Sequence, residues 1–299
     1  MQLNAFLVRP FVEQGLREEI GPGDTTGGFL AGNDLVTEAL VYAKQHGVVC
    51  GLLLAEETVR LLEPEAKVVY EAQDGDEIEP GDVLLRITAK ASTLFSVERA
   101  ALDWVQYLSG IATKARRYAK LVEPHGVRVT DTRKGVPGMR VLEKYAVRVG
   151  GAHNHLFGLH NAILVKDNHI KLAGGIKPAV EQLRAKALHT FKIEVECETL
   201  EEVEEALAAE ADIIMFDNMD LDMIRQGLNL VDGQTMTEAS GGIREHTIVQ
   251  VAETGVDIIS AGDMTHSAGV IDMSMDFGDI KPSAQRQIDR SRVGEAADV

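Results

Sequence analysis

Cationic side chains are concentrated between Arg133 and Lys171. This segment holds seven Lys or Arg against two acids, which gives +5 within a chain of formal net charge −17. Four of the nine histidines lie there as well: His153, His155, His160 and His169. A solvated basic face would give a similar charge count. The glycines and apolar residues between the charges instead favour a binding site for a highly anionic substrate, whose oxygens Arg, Lys and His contact with charge-assisted hydrogen bonds.

A second pattern places carboxylates on one side of a strand. Between Lys192 and Glu198, alternation puts Glu194, Glu196 and Glu198 on one face and apolar residues on the other. If helices cover the outside of a barrel, the apolar face looks outward and the glutamates point into the lumen. There they need cations, donors or a metal, because a buried unpaired carboxylate is costly. A solvated edge strand would show the same alternation.

Two polar motifs stand directly after apolar strand candidates. Lys166 and Asn168 follow one strand, and Asp217 and Asn218 follow another. The two asparagines are predicted to cap the next helix, which Asn often does. Lys166 and Asp217 stand at the strand ends themselves and are predicted to belong to the site.

The last two strand candidates end in small residues. Ser240-Gly241-Gly242 follows the first, and Ser260 and Gly262 close the second. Glycine allows backbone amides to approach a phosphate closely, and a helix N-terminus adds a partial positive charge. We therefore expect a phosphate site at these two turns.

Histidine and cysteine spacing argues against a zinc site and against a disulfide framework. His153, His155 and His169 have no carboxylate or cysteine at ligand spacing, and the surrounding cations oppose zinc. Cys50 and Cys197 are too sparse for a disulfide framework and are predicted to be reduced, buried thiols without a catalytic role.

The elements that must position these residues alternate between strand and helix. Strand, helix, strand at roughly twenty-residue spacing indicates a parallel sheet with crossover helices. A doubly wound sheet fits as well, but polar residues at nearly every strand end favour an incomplete barrel of six or seven strands. The strand candidates are 127–130, 162–166, 192–197, 212–216, 235–239 and 257–260, and the later helix candidates are 176–188, 199–209, 219–228 and 243–253.

The first part of the chain is predicted to be a separate mixed α/β domain. It contains strand candidates at 37–49, 67–70 and 83–87, a helix at 55–62, and a long helix at 93–122 that Ser109-Gly110 interrupts. The predicted domains are an N-terminal domain over 1–106, a barrel domain over 107–275 and a C-terminal tail over 276–299.

Composition excludes several classes of protein. With 45% apolar and 26% charged residues the chain is globular. The charge of −17 argues against nucleic-acid binding. The longest apolar run, 48–55, falls short of the ~20 residues needed to cross a bilayer, and the start lacks a signal peptide. We expect a cytoplasmic protein.

Ordered motifs along nearly the whole chain resemble the quinolinate phosphoribosyltransferase family, also called carboxylating nicotinate-nucleotide pyrophosphorylase. The resemblance rests on a long set of short segments. These are 23–26, 96–99, 108–113, 131–134, 137–138, 142–147, 150–151, 154–155, 166–169, 194–196, 217–218, 238–243 and 265–267.

The resemblance implies an N-terminal α/β sandwich followed by an open seven-stranded α/β barrel. It implies a homodimer or larger homo-oligomer in which one subunit's N-terminal domain covers the other's barrel. The implied reaction is a pentosyl transfer in NAD biosynthesis. Phosphoribosyl pyrophosphate (PRPP) and quinolinate give nicotinate mononucleotide, pyrophosphate and CO2, with Mg²⁺ as cofactor.

The resemblance also implies roles for individual residues. The catalytic set would be Lys134, Lys166, Glu196 and Asp217, with Glu196 and Asp217 holding the ribose hydroxyls and Mg²⁺. Arg133 and His155 would contact the dicarboxylate and pyrophosphate, and Arg99 would reach across the subunit interface. The remaining substrate-binding residues would be Ser240, Gly241 and Gly262 at the 5′-phosphate, together with His266.

Departures from the family gather on the acceptor side. Leu156 stands where the family has an arginine that grips a substrate carboxylate, and Gly135, His160 and Asn161 are unusual as well. Asp263 beside the phosphate turn is electrostatically unfavourable. The sequence therefore leaves two alternatives: a phosphoribosyltransferase with another aromatic acid or heterocycle as acceptor, and a non-catalytic mononucleotide-binding paralogue.

Overall fold

The computed structural model describes residues 2–30 and 35–295. Its contacts divide the chain into two units. The N-terminal unit comprises Met1–Lys114 and Ala268–Val299, and the barrel unit comprises Ala115–Ser267.

The N-terminal unit is built on antiparallel strands. Its elements are α1 (Ala5–Ile20), α2 (Thr25–Leu30), β1 (Val36–Ala43), β2 (Gly47–Val48), α3 (Leu52–Leu62), β3 (Lys67–Tyr70), β4 (Glu77–Ile78), β5 (Val83–Lys90), the first part of α4 (Ala91–Val122), β12 (Met273–Phe277) and α12 (Pro282–Glu295). Four strands pair in the order β12-β1-β5-β3, and β2 pairs with β4.

The barrel unit is built on parallel strands with helices between them. It contains the end of α4, β6 (Arg128–Thr130), α5 (Arg140–Val149), β7 (Ile163–Val165), α6 (Asp167–Ala173), α7 (Ile176–Arg184), β8 (Ile193–Cys197), α8 (Leu200–Ala208), β9 (Ile213–Asp217), α9 (Leu221–Val231), β10 (Met236–Ser240), α10 (Ile248–Ala252), β11 (Ile258–Ser260) and α11 (Asp263–His266).

The order of the parallel strands decides between the two sheet architectures. Six strands pair as β6-β11-β10-β9-β8-β7, so each strand from β7 to β11 lies beside the next one in sequence. A doubly wound sheet would instead reverse direction at a switch point. The prediction of an incomplete α/β barrel is confirmed.

A parallel bridge between Thr130 and His153 replaces a seventh strand. The His153 amide donates to the carbonyl of Val129, and the Asp131 amide donates to the carbonyl of His153. The segment containing the predicted histidines is thus fixed to the edge of β6.

The predicted interruption of the long helix at Ser109-Gly110 is wrong, because α4 is continuous from Ala91 to Val122. The small residues serve packing within the N-terminal unit. Ser109 Oγ accepts a hydrogen bond from the amide of Cys50 at 2.9 Å, and a β-carbon on Gly110 would collide with the carbonyl of Gly269.

The unit boundaries of the structure differ from the predicted domain boundaries. The contacts divide within α4, after Lys114 and not after residue 106. The segment predicted as a tail, 276–299, includes the end of β12, which pairs with β1, and α12. Ile288 of α12 packs with Leu40 and Tyr42 of β1, so this part of the chain contributes to the core of the N-terminal unit.

Cys50 and Cys197 are free and buried, as the sequence predicts. Burial raises the pKa of the Cys197 thiol to about 12 and also raises the pKa of Cys50, so both thiols stay protonated. Among the described helices, none is both long and apolar enough to cross a membrane.

Candidate active site

The carboxyl ends of the barrel strands surround a cavity of about 380 Å³. This size suits a small-molecule ligand. Its walls come from the turns or ends of every barrel strand and from the segment that contains His153 and His155, which we call the bridging segment. The lining residues are Thr132, Arg133, Lys134, His155, Leu164, Lys166, Glu196, Met215, Asp217, Asn218, Ser240, Gly241, Gly242 and Ser260.

Eight of the eleven residues predicted for the site line this cavity. Gly262 and His266 lie close by in the barrel unit, since a β-carbon on Gly262 would lie 3.3 Å from Lys134 Cδ and 3.3 Å from His266 Cδ2. Arg99 belongs to the N-terminal unit, where its guanidinium lies 3.4 Å from Asp103 and is half-exposed. Its assignment to a neighbouring subunit's site remains a prediction.

Charge is distributed unevenly around the cavity. The turn after β6 supplies Arg133 and Lys134, and the turn after β7 supplies Lys166. The acids follow on the next two strands, Glu196 from β8 and Asp217 from β9. A ligand in this cavity therefore meets both cations and carboxylates, each set coming from two strand ends.

Lys166 and Glu196 form an ion pair across adjacent strands. Burial raises the pKa of Glu196, and the nearby charge of Asp217 adds to this, although Lys166 opposes the shift. The Lys166 side chain is 38% exposed. It can thus contact an anionic ligand while remaining beside Glu196.

A second, acidic cavity of about 330 Å³ shares Glu196 and Asp217 with the first. The other acids of its wall are Asp167, Glu198 and Glu202, with Lys171 as the cation. Carboxylate oxygens are the ligands that Mg²⁺ prefers. The donor set at Glu196 and Asp217 therefore fits a hard divalent cation.

The predicted glutamate face of β8 points inward, as the alternation indicates. Val195 and Cys197 are fully buried on the outer face, whereas Glu194 is buried in the lumen and Glu196 lines the cavity. Glu198 lies beyond the strand end. Its amide donates to Glu202 Oε2, near the start of α8.

The predicted capping roles of Asn168 and Asn218 are wrong. Asn168 lies inside α6, and the side chain that caps α9 belongs to Asp220. Asn218 instead has a positive φ of 55° and donates from Nδ2 to Asp217 Oδ2 at 2.8 Å. It fixes the orientation of the Asp217 carboxylate at the cavity.

The turn after β10 brings its backbone into close contact with the turn after β9. Gly241 has φ of +96°, and a β-carbon there would lie 2.8 Å from the backbone nitrogen of Asn218 and would collide with Asn218 Oδ1. Asn218 N also donates to Ser240 O at 2.9 Å. Only glycine fits between these groups, which leaves the Ser240–Gly242 backbone exposed to a ligand.

Asp263 does not oppose a phosphate in the way its sequence position suggests. Its carboxylate accepts a hydrogen bond from the Tyr118 hydroxyl at 2.7 Å and pairs with Arg244 at 3.1 Å. The side chain is 9% exposed. Its charge is therefore directed toward α4 and neutralised by an arginine from the turn after β10.

Two groups that sequence reasoning missed hold His155 in place. Asp131 and Lys144 form a buried ion pair with 2.5 Å between Oδ1 and Nζ. Asp131 Oδ1 also accepts from the His155 amide at 2.9 Å, and Asn154 Nδ2 donates to Asp131 Oδ2 at 2.7 Å. The signal in the sequence was an acid directly after β6 and a lysine on the apolar face of α5.

The third missed group is Glu238, which lies in the lumen with Glu194 and His155. His155 Nε2 lies 2.9 Å from Glu194 Oε2 and 3.7 Å from Glu238 Oε1. Burial, followed by the charge of Glu194, raises the pKa of Glu238 to about 7. Burial alone would lower the pKa of His155, but its hydrogen bond to Glu194 and the two glutamate charges outweigh this and raise it.

Other histidines of the basic segment do not reach the cavity. His153 lies 2.8 Å from Arg148 and borders a different surface pocket, behind β6. His169 caps α6 by accepting from the Lys166 amide at 3.0 Å. Within the described ranges, the one cluster of three residues with metal-ligand atoms close together is His155, Glu194 and Glu238. Of the three histidines weighed from spacing it contains His155, but neither His153 nor His169.

Two family models match consecutive parts of the chain. Residues 24–109 match "Quinolinate phosphoribosyl transferase, N-terminal domain" and residues 111–276 match the C-terminal domain of the same family. A Bacillus subtilis protein named "Probable nicotinate-nucleotide pyrophosphorylase [carboxylating]" is 40% identical over 274 residues, with 92% of this chain and 94% of that protein covered. A Synechocystis protein with the same name is 40% identical over 273 residues, covering 90% and 92%.

Solved structures agree in fold. The crystal structure of NadC from Streptococcus pyogenes superposes with a TM-score of 0.89 at 37% identity, covering 93% of this chain and all of that chain. A nicotinate-nucleotide pyrophosphorylase from Francisella tularensis gives a TM-score of 0.88 at 33% identity, covering 92% and 98%.

Proposed function

This chain belongs to the quinolinate phosphoribosyl transferase family, and from that premise we propose that it transfers the phosphoribosyl group of PRPP to quinolinate. The products are nicotinate mononucleotide, pyrophosphate and CO2. The observation that carries the proposal is the distribution of charge around the 380 Å³ cavity. The cations Arg133, Lys134 and Lys166 come from the turns after β6 and β7, and the carboxylates Glu196 and Asp217 come from the ends of β8 and β9.

This set of cations and carboxylates matches the charges that develop in the reaction. The pyridine nitrogen forms a bond to the anomeric carbon of the ribose as the bond from that carbon to pyrophosphate breaks. Positive charge grows on the sugar and negative charge on the leaving group. Carboxylates near the ribose and cations near the diphosphate therefore both lower the barrier.

Decarboxylation completes the reaction without a protein nucleophile. The carboxyl group next to the ring nitrogen leaves as CO2, its bonding electrons pass to the ring, whose nitrogen is now positively charged, and the vacated carbon takes up a proton. Arg133 and His155 would hold the acceptor's carboxylates, which fixes the ring nitrogen toward the sugar. Bidentate contacts from arginine suit this role.

The 5′-phosphate would bind the backbone of the turns after β10 and β11. Ser240 and Gly241 line the cavity, and Gly262 is the N-cap of α11 and lies beside Lys134. His266 follows in the same short helix, with its Nδ1 at 2.6 Å from Ser267 Oγ. Glycine in both turns allows the close approach that a phosphate requires.

Mg²⁺ would be held by Glu196 and Asp217, where it would neutralise charge on the diphosphate of PRPP. The acidic wall that these residues share with the second cavity supports this assignment. The ion pair with Lys166 keeps Glu196 at the edge of both cavities.

The active form would be a homodimer or larger homo-oligomer, to whose sites Arg99 contributes from a neighbouring subunit. Support comes from the family resemblance and from the half-exposed guanidinium of Arg99. Mixing inactive Arg99→Ala protein with inactive Lys134→Ala protein should restore part of the activity. Mixtures that stay inactive after subunit exchange would exclude the shared site. A cytoplasmic location also remains a prediction.

The decisive assay supplies purified protein with PRPP, Mg²⁺ and quinolinate labelled in the carboxyl group next to nitrogen. Labelled CO2 and nicotinate mononucleotide should appear in equal amounts, and nicotinate should not replace quinolinate. Release of pyrophosphate would also exclude a non-catalytic nucleotide-binding role. Absence of turnover with quinolinate would refute the proposed acceptor.

A different aromatic acid or heterocycle as acceptor is the second candidate, and Leu156 favours it. The side chain is 7% exposed and apolar, and it is not among the residues that line the cavity. His153 does not replace the missing cation, because it pairs with Arg148 behind β6. His160 and Asn161 are exposed.

Gly135 adds to the difference on the acceptor side. A β-carbon at this position would collide with the carboxylate of Glu143, whose Oε1 accepts from the Val136 amide at 2.8 Å.

A panel of aromatic acids tested with PRPP would separate the two candidates. Efficient turnover of quinolinate alone would exclude the second.

A further inference from the structure

Two carboxylates lie below the cavity, where they contact a single histidine. Glu194 is 4% exposed and Glu238 is 1% exposed. His155 Nε2 lies 2.9 Å from one and 3.7 Å from the other. Neither glutamate contributes to the roles that the reaction assigns to Glu196 and Asp217.

Burying these two glutamates destabilises the folded state. One oxygen of each glutamate, Oε1, is buried without a hydrogen-bond partner in the described part of the chain, as is the hydroxyl of Ser260. An unpaired buried polar atom costs about 1–3 kcal/mol, and more when it is charged. Apolar side chains would fill the lumen at lower cost, so packing does not explain the two acids.

The histidine is fixed from both ends. Its ring is held through Nε2 by Glu194, while its backbone amide donates to Asp131 and its carbonyl accepts from Lys144 Nζ at 3.3 Å. Nδ1 has no hydrogen-bond partner among the described residues and is not one of the buried unpaired atoms. Since His155 lines the cavity, Nδ1 is the nitrogen that remains for a ligand.

A divalent cation is a poorer occupant of this cluster than a proton. The ligand atoms of His155, Glu194 and Glu238 lie within 4.8 Å of one another. However, Nε2 already forms its hydrogen bond with Glu194, and Arg133, Lys134 and Lys166 line the same cavity. A cation would have to displace that hydrogen bond in a region already rich in positive charge.

We propose that Glu194 and Glu238 are positioning residues that hold the His155 imidazole as a cation, with Nδ1–H directed at a carboxylate of the acceptor. The two acids serve the acceptor through the ring and do not touch the substrate themselves. The choice of an aromatic acid as the ligand rests on the proposed function. The charge of the His155 imidazole does not depend on that function.

The groups that set the charge of His155 come from four elements. Glu194 faces it from β8 and Glu238 from β10, while Lys144 of α5 and Asp131 after β6 lie on its backbone side. Two acids at the ring and a neutralised pair behind it favour the imidazolium. Removing either glutamate charge should therefore lower the pKa of the His155 ring.

The first experiment is NMR titration of the histidine rings in the free protein, with His155→Gln used to assign the signal. In the unaltered protein the pKa of His155 should lie above its usual value, and it should fall in both Glu194→Gln and Glu238→Gln. Glu204→Gln, which removes an exposed charge from α8, is the control and should leave it unchanged. An unchanged His155 pKa in the two lumen variants would overturn the proposal whatever the acceptor is.

The second experiment is steady-state kinetics with quinolinate and PRPP. Glu194→Gln and Glu238→Gln should raise KM for quinolinate about tenfold, the size of one charge-assisted contact, and leave KM for PRPP within about twofold. An equal rise in both KM values would show a purely structural role and would contradict the proposal. If quinolinate is not turned over at all, the proposed function fails while the NMR result still stands.

Direct metal binding is tested separately with Mn²⁺ and Zn²⁺ on purified protein. Stoichiometric binding that disappears in Glu238→Gln but persists in Glu196→Gln would assign the cluster to a cation and overturn the proposal. Absence of such binding is the expected result.

Discussion

Lys144 Nζ lies 2.5 Å from Asp131 Oδ1, and the two side chains are 1% and 0% exposed. Asp131 also accepts from the amide of His155 and from Asn154. The ion pair therefore connects α5, the turn after β6 and the bridging segment beneath the cavity. Both stability and the position of His155 depend on it.

Lys144→Met should destabilise the protein by about 3–5 kcal/mol, because it leaves Asp131 as a buried unpaired charge. Urea unfolding measures this. Arg225→Met breaks an exposed pair with Asp222 on α9 and is the matched control, with an expected cost of less than about 1 kcal/mol. Equal losses in the two variants would contradict the role of the buried pair.

Lys134→Ala should lower kcat/KM by about 100- to 1000-fold, since it removes a cation that is proposed to bind pyrophosphate in the cavity. Initial-rate measurements with PRPP and the acceptor test this. Lys186→Ala removes an exposed lysine that does not line the cavity and should retain full activity. A Lys134→Ala enzyme as active as this control would remove Lys134 from the catalytic set.

Removal of divalent cations with EDTA should abolish turnover, and Mg²⁺ should restore it. Glu196→Gln and Asp217→Asn should each raise the Mg²⁺ concentration for half-maximal activity about tenfold or more, because each removes a charged oxygen ligand. Glu253→Gln, at the exposed C-cap of α10, provides the control. Unchanged Mg²⁺ dependence in both cavity variants would show that the protein carboxylates do not hold the ion.

Stability should fall as pH rises through 7, owing to Glu238. Burial and the charge of Glu194 raise the pKa of Glu238 from 4.5 to about 7. A raised pKa in the folded state gives a contribution that is complete below about 4.5 and lost as pH rises through 7. His155, whose pKa is also raised, contributes with the same sign.

Glu238→Gln cannot ionise and should lose most of this dependence. The difference in unfolding free energy between pH 5 and pH 8 should shrink by at most about 3 kcal/mol. Urea midpoints measured at both pH values provide the comparison. An identical pH dependence in the variant and the unaltered protein would show that Glu238 is ionised throughout.

Gly241→Ala should destabilise the protein by about 1–3 kcal/mol and raise KM for PRPP, because the new β-carbon meets the Asn218 backbone at a positive φ. Gly233→Ala has a positive φ of 69° but no atom within 4 Å, so it isolates the conformational cost from the collision. A Gly241→Ala enzyme with unchanged KM for PRPP would move the phosphate site elsewhere.

Strand-end residues were predictable from sequence, because a parallel strand delivers its carboxyl end to a common edge. Lys166, Glu196, Asp217 and Ser240 illustrate this, and alternation alone oriented Glu194 into the lumen. The alternation of side chains could be inferred because it follows from the local geometry of a strand. The strand order could be inferred because consecutive strands in such a fold usually lie beside each other.

Long-range pairing was not predictable in the same way. Nothing local indicates that Lys144 meets Asp131 or that Asp263 meets Arg244 and Tyr118. The continuity of α4 through Ser109-Gly110 also depends on packing against Cys50 and Gly269, residues far away in sequence. Tertiary contacts override the local preference there.

The order β7-β8-β9-β10-β11-β6 has a consequence for how such a chain can diverge. Successive loops of the sequence are neighbours around the rim. On the proposed roles, the residues that depart from the family, 135–161, come from the loops between β6 and β7, whereas the ribose and 5′-phosphate contacts come from the turns after β8 to β11. Substitutions between 135 and 161 could therefore change the acceptor while these later turns stay unchanged, and new acceptor specificities could arise without a new fold.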